Sequence, residues 1–187
     1  MKIFSLVLLL LSLCLFPLTA MAIADSSQLV RAVEEIESLD TMRSSLASGL
    51  NNQSETPDLQ TFKEVCKPVG MRAKQLSQEN GWQVKQIAKK YRNPVHAPSN
   101  LSETIALAQF EQKPELMGFW QQEKEGTHYY RRINVEASCL ACHGAKNSRP
   151  PFVMDKYPQD LAFDFQEGDL RGMYSVFIPQ LQQALQN

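Results

Sequence analysis

The chain has 187 residues, with 19 Lys and Arg against 20 Asp and Glu, a formal net charge of −1. That balance excludes a nucleic-acid protein with a broad basic face and a polybasic membrane-surface protein. With 43% apolar residues and no repeat or low-complexity tract, the sequence fits one packed domain.

The first segment reads as a secretory signal. Lys2 precedes an apolar run over residues 3–18, and Ala20-Met21-Ala22 and Ala22-Ile23-Ala24 offer small residues at cleavage spacing. The expectation is a cleaved signal over residues 1–24 and a single domain over 25–187. If retained, the segment would act as a membrane anchor. Cleavage removes Lys2, so 18 basic residues stand against 20 acidic ones, a balance of −2. It also removes Cys14 and leaves Cys66, Cys139 and Cys142. Exported proteins normally pair their thiols, so an odd number needs an explanation.

Residues 26–50 show helical periodicity, with Val30, Val33, Ile36 and Leu39 on one side. Residues 51–57 are polar and read as a loop. A second helix starts near Asp58. Leu59, Phe62, Cys66, Val69, Ala73 and Leu76 share its apolar face, Pro68 is a kink point and Asn80-Gly81 is the stop. Residues 82–91 fit a short strand or a helix equally well. Asn93-Pro94 and Ala97-Pro98-Ser99-Asn100 mark an ordered loop, and Ser102 is a candidate cap for a helix running through Ala106 and Phe110 to Gln112.

The pattern then changes to strands. Residues 117–124 and 127–135 read as a pair joined near Glu125-Gly126, with Tyr129, Ile133 and Val135 on one face beside Arg131. Arg149-Pro150-Pro151 opens a loop. A last strand over 170–179 alternates through Leu170, Gly172, Tyr174, Val176 and Ile178. Helices followed by strands predict an α+β domain, an antiparallel sheet with long helices against one side.

Between the last two strands lies Cys139-Leu140-Ala141-Cys142-His143. This C-x-x-C-H spacing is that of a covalently attached haem c. Two thiols three positions apart can each add to a vinyl group of one porphyrin, and the adjacent histidine is placed to ligate the iron. Half of a zinc site or a redox disulfide would use the same letters. However, there is no second C-x-x-C, and no strand–helix setting of the thioredoxin kind. His143 is therefore the expected proximal ligand. For the other axial position the residues leave Cys66, His96, His128, a methionine or nothing. Cys66 is the leftover thiol on an apolar helix face. A thiolate there would cancel the excess positive charge of ferric porphyrin. Reduction would then leave a buried negative charge, so such a site favours the ferric state and a low potential.

Several segments in order resemble a haem c domain family first described in cyanobacteria, whose fold is like that of Per-Arnt-Sim (PAS) sensor domains. They are residues 62–68 around the helical cysteine, Tyr91-Arg92-Asn93-Pro94 with Pro98 and Glu103, Tyr129-Tyr130, Cys139-Leu140-Ala141-Cys142-His143-Gly144, and Gly168-Asp169-Leu170-Arg171-Gly172 with Ser175-Val176. The resemblance implies a PAS-like antiparallel sheet with long N-terminal helices. It implies one covalent haem c on Cys139 and Cys142, with His143 and Cys66 as iron ligands. Two departures stand out. His96 replaces an asparagine of the family's loop, and Ala145-Lys146-Asn147 replaces an acidic-proline ending. Arg92 and Arg171 are candidates for holding propionates, although loop-fixing arginines would look the same.

The expected function is an exported single-haem c-type cytochrome of low potential that senses redox state or a small ligand, such as a diatomic gas after reduction. The alternative is a low-potential electron carrier. Either would need a protein redox or signalling partner, in the periplasm or thylakoid lumen of a bacterium. The resemblance favours a cyanobacterium. Peroxidase-like catalysis is not expected, because no distal His-Arg pair is evident.

Overall fold

A computed structural model of the chain describes residues 26–52 and 55–179. The expected signal segment and Cys14 lie outside the described residues. The elements run α1 (Ser26–Ser48), α2 (Leu59–Asn80), β1 (Gln83–Ile87), α3 (Leu101–Gln112), β2 (Gly118–Gln122), β3 (Gly126–Asn134), α4 (Leu140–His143), α5 (Pro151–Lys156) and β4 (Leu170–Pro179). Among the described residues no helix is long and apolar enough to cross a membrane.

Helix α2 begins where the sequence places it. Asp58 accepts a hydrogen bond from the Thr61 amide at 2.8 Å, and the Thr61 hydroxyl accepts one from the Asp58 amide, a reciprocal cap. Gly81, at φ 68°, ends the helix in the left-handed region that glycine enters without strain. The helix continues through Pro68, which lacks the amide that would bond back to residue 64. In α1 the buried stripe is Ala32, Ile36, Leu39 and Ala47, while Val30 is 57% exposed. Val30 therefore leaves the expected apolar side, because residues 32 and 36 set the stripe and position 30 falls off it.

The strands form one antiparallel sheet in the order β1-β4-β3-β2. The undecided segment after Gly81 is thus a strand, held against β4 from Gln83↔Phe177 to Ile87↔Met173. One sheet face packs Tyr129, Ile133, Tyr174, Val176 and Ile178 against Ile36, Leu39, Val69, Ala73 and Leu76 of α1 and α2. On the other face Ile87, Tyr130 and Met173 meet Ala106, Leu107 and Phe110 of α3. The α+β architecture with long N-terminal helices on one side of an antiparallel sheet is what the chain adopts.

Local differences have simple causes. Asn100 caps α3 by accepting from the Glu103 amide at 2.8 Å, so the helix starts before Ser102. The Arg149-Pro150-Pro151 stretch leads into α5, with Pro151 at the first helical position, where its missing amide costs nothing. In β4 the register shifts between Ile133↔Gly172 and Asn134↔Leu170, leaving Arg171 as an extra residue. That bulge moves Leu170 to the α3 side. An added Cβ on Gly172 would collide with the Ile87 carbonyl, so glycine is needed there for β4 to pass β1.

Two buried polar groups give testable consequences. The Tyr130 hydroxyl is buried without a hydrogen-bond partner. In Tyr130→Phe, stability measured by urea unfolding should stay level or rise by about 1 kcal/mol, since an unsatisfied buried oxygen is removed. Glu103 is 1% exposed, and burial alone would raise its pKa. Hydrogen bonds from the Ser99 amide (2.6 Å) and hydroxyl (2.9 Å), with Lys85 at 3.2 Å, outweigh burial and hold it below the ordinary value. Its contribution to stability is complete above the unfolded-state value of about 4.3 and is lost as pH falls through the lower folded-state value. The urea midpoint should therefore drop more steeply in acid for the wild type than for Glu103→Gln.

Candidate functional site

The C-x-x-C-H segment follows β3 and is fixed by the loop that returns to β4. The Val135 amide donates to Asp169 O at 2.9 Å and the Gly168 amide donates to Val135 O at 2.8 Å, closing that loop on itself. Residues 137–139 make one tight turn, and α4 carries the rest of the motif. Helical spacing of three places Cys139 and Cys142 on the same side. Below them Val135, Ala162 and Phe165 form a small apolar cluster with Cys139 and Leu140. An added Cβ on Gly144 would come within 2.7 Å of Leu140 O, so a glycine fits where the chain leaves α4 after His143.

His143 is oriented by its backbone neighbours. Its Nδ1 lies 2.8 Å from Ala162 O. A carbonyl oxygen only accepts, so Nδ1 carries the proton and Nε2 keeps the lone pair. Arg92 Nη2 is also near Nδ1, at 3.2 Å, but it makes a shorter bond to Cys142 O at 2.7 Å. A proton-bearing Nδ1 that donates to Ala162 O cannot also accept from Arg92, and the arginine donates to the Cys142 carbonyl instead. Burial, then repulsion from Arg171 and Arg92, pushes the His143 pKa well below its ordinary value and keeps the ring neutral. The Ala162 loop is tied down by Asp160, whose side chain accepts from the Ala162 amide at 2.9 Å and from Arg149 at 3.0 Å. Arg92 Nε stands 3.5 Å from the same carboxylate, close enough for an ion pair but not for a hydrogen bond.

Cys66, Cys139, Cys142 and His143 line one cavity of about 490 Å³. Cys66 comes from α2, and the other three come from the β3–β4 connection. Thus the structure brings together all four residues singled out in the sequence. Cys66 is exposed by surface area, but that surface opens on the cavity; the surrounding protein desolvates the thiol and pushes its pKa up to about 11. All three described cysteines are free. Among the described residues no group of three or more His, Cys, Asp or Glu gathers as a metal-ion site. The other candidate ligands separate. His128 stacks on Tyr130 at 5.3 Å and does not line the cavity. His96 lines it, exposed, with Nδ1 2.9 Å from Gln86 O. Trp82 sits in the main core, and Trp120 packs on Tyr129 at the sheet edge, 38% exposed; neither faces the cavity.

The cavity's charge is one-sided. Arg43, Lys67, Lys74, Arg92 and Arg171 line it, and no Asp or Glu does among the described residues. Burial lowers the Arg171 pKa to about 10, helped by Arg92. Arg171 donates to Lys90 O at 3.0 Å and has no carboxylate within ion-pairing distance among the described residues. Arg43 was not foreseen. It bonds Asp40 at 2.8 Å and Glu136 at 2.7 Å, and places Nη1 3.8 Å from Cys139 Sγ. Asp160 and Ala162 were missed as well. Their roles depend on the loop fold and leave no spacing signal in the sequence.

The family model described as Tll0287-like matches residues 20–179. Among solved structures, the crystal structure of the cyanobacterial haem protein Tll0287 is similar, at 57% identity and a TM-score of 0.78. That match covers 84% of this chain and 98% of the other. No curated protein matches. With the fold and the sequence agreeing over most of their length, the chain belongs to the Tll0287-like family.

Proposed function

We propose that this protein is an exported single-haem c-type cytochrome with His/Cys axial ligation, acting as a sensor of redox state or of a small ligand. One observation carries the reading: Cys66 on α2 and the Cys139, Cys142 and His143 set converge on one cavity. The similar structure is that of a haem protein, which supports the same cofactor here. The residues also fit a haem independently. The cavity is largely apolar and of cofactor size, and among the described residues its charged lining side chains are cations, of which Arg92 and Arg171 can pair with propionates.

The bound haem would supply one-electron chemistry and a site for a diatomic ligand. Cys139 and Cys142 would hold the haem, each S–H adding across a vinyl group with no net redox change. His143 offers Nε2, since Nδ1 is occupied by Ala162 O. Arg171, with no carboxylate partner among the described residues, is the stronger candidate for a propionate; Arg92 already serves Cys142 O and Asp160. Cys66 would hold the iron from α2, and its thiolate, favoured there only by the metal's charge, would oppose the gain of an electron by adding negative charge in a low-dielectric site. Loss of that ligand on reduction would open a coordination position and convert a redox change into a local structural one. Residues 1–24, as a cleaved signal, would send the protein to the periplasm or thylakoid lumen of a cyanobacterium, where a redox or signalling protein would be its partner. The second reading, a low-potential carrier, uses the same site without ligand release.

The pyridine haemochrome of purified mature protein should be that of haem c, and its mass should include one porphyrin. Cys66→Ala should turn the ferric spectrum from low-spin to high-spin. It should also raise the potential by roughly 300 mV, the scale of removing one charge at about 2.3 Å at an effective dielectric of about 20. Spectra unchanged by that substitution would remove Cys66 from the iron. Carbon monoxide should alter the spectrum of the reduced protein and leave the oxidised one unaffected. A reduced protein that ignores it, yet exchanges electrons quickly with a soluble cytochrome, would be a carrier.

A further inference from the structure

Resting on the haem reading above, we infer that the cavity mouth on α2 is the docking face for a redox partner with an acidic surface. Lys67, Gly70, Met71 and Lys74 fall at helical steps of three and four, and all line the cavity. All four are exposed, with Met71 at 61%. Neither lysine forms an ion pair among the described residues. By contrast, Lys85 and Lys89 elsewhere on the surface are paired with Glu103 and Glu111. Glu64, the nearest acidic residue on the same helix, bonds Gln60 at 2.6 Å and does not line the cavity.

The rim continues across the gap to the next segment. A second hollow shares Gly70, Lys74 and His96 with the first and reaches Val95, which is 77% exposed. The mouth therefore offers two exposed apolar side chains, Met71 and Val95, beside Lys67 and Lys74, which form no ion pair among the described residues, while the Lys85–Glu103 pair lies farther into the second hollow. It does so on a chain whose net charge is −1, so the positive field is local and not a property of the whole molecule. A small apolar centre with a one-sign charged border suits a transient, electrostatically steered encounter. The cations border the cavity proposed for the haem, so a partner seated there lies on the short route to the iron.

The test uses the haem-loaded protein and small oxidants of opposite charge. Stopped-flow oxidation of the reduced wild type by hexacyanoferrate(III) should slow as salt rises, despite the negative net charge. Oxidation by a cationic tris-phenanthroline cobalt(III) complex should quicken. Lys67→Glu/Lys74→Glu should slow the first reaction about tenfold or more at low salt and reverse both salt dependences. Poly-L-glutamate, a stand-in for the acidic partner, should inhibit hexacyanoferrate oxidation of the wild type and not of the variant. Haem-loaded protein whose rates are unaltered by the double substitution would overturn the docking face alone. Absence of haem would overturn the haem reading with it. Binding of the wild type to phosphatidylglycerol vesicles, lost in the variant, would overturn the protein partner in favour of a lipid surface.

Discussion

The bond between His143 Nδ1 and the Ala162 carbonyl, 2.8 Å long, decides what the rest of the site can do. It settles the tautomer without a charged partner and leaves the second nitrogen able to donate its lone pair. Its acceptor is a backbone atom, so its position depends on the loop between α5 and β4. That loop is held by Asp160, by the apolar group of Val135, Ala162 and Phe165, and by amide bonds from Asp164 and Phe165 back to Gly144 O and His143 O. The orientation of one ring is therefore shared among many weak contacts.

Charge is partitioned around this ring. Carboxylates are paired away from the cavity: Asp40 with Arg43 and Arg131, Glu136 with Arg43, and Asp160 with Arg149 and Arg92. The inner surface keeps the guanidinium and ammonium groups. Desolvation makes Arg171 a weaker base than usual, which is the expected response of a buried cation without a counterion. An anionic occupant relieves that burial, so affinity for anionic groups and packing of the arginine support each other. Arg43 and Arg131 also tie α1 to the sheet and to the motif segment, making the first helix part of the cavity's wall.

Much of this was legible in the sequence because it depends on local rules. Spacing alone exposes the motif, the α2 face and its glycine stop. Cys66 could be singled out by cysteine counting, and it lines the same cavity as the motif. The sequence hid features fixed by tertiary register. Val30 lies one step off the stripe that Ala32 and Ile36 establish, and a periodicity count cannot see which stripe the sheet selects. The bulge at Arg171 reverses the side taken by Leu170, and nothing in the alternation of β4 announces it. Ala162 contributes only a carbonyl, so its identity carries no chemical signal.

Pro68 gives α2 an uneven strength along its length. It supplies no amide to the carbonyl of Glu64, and Gly70, two residues on, adds no side chain and favours an open backbone. Cys66 lies between the orphaned carbonyl and these two residues. Thermal fraying inside a long helix starts where its ladder has the fewest rungs. Amide protons of residues 66 and 67 should thus exchange with solvent sooner than those of Val69, Ala73 and Leu76, which are packed against the sheet. The turn bearing the sulfur is the part of α2 most able to shift while the remainder of the helix stays seated.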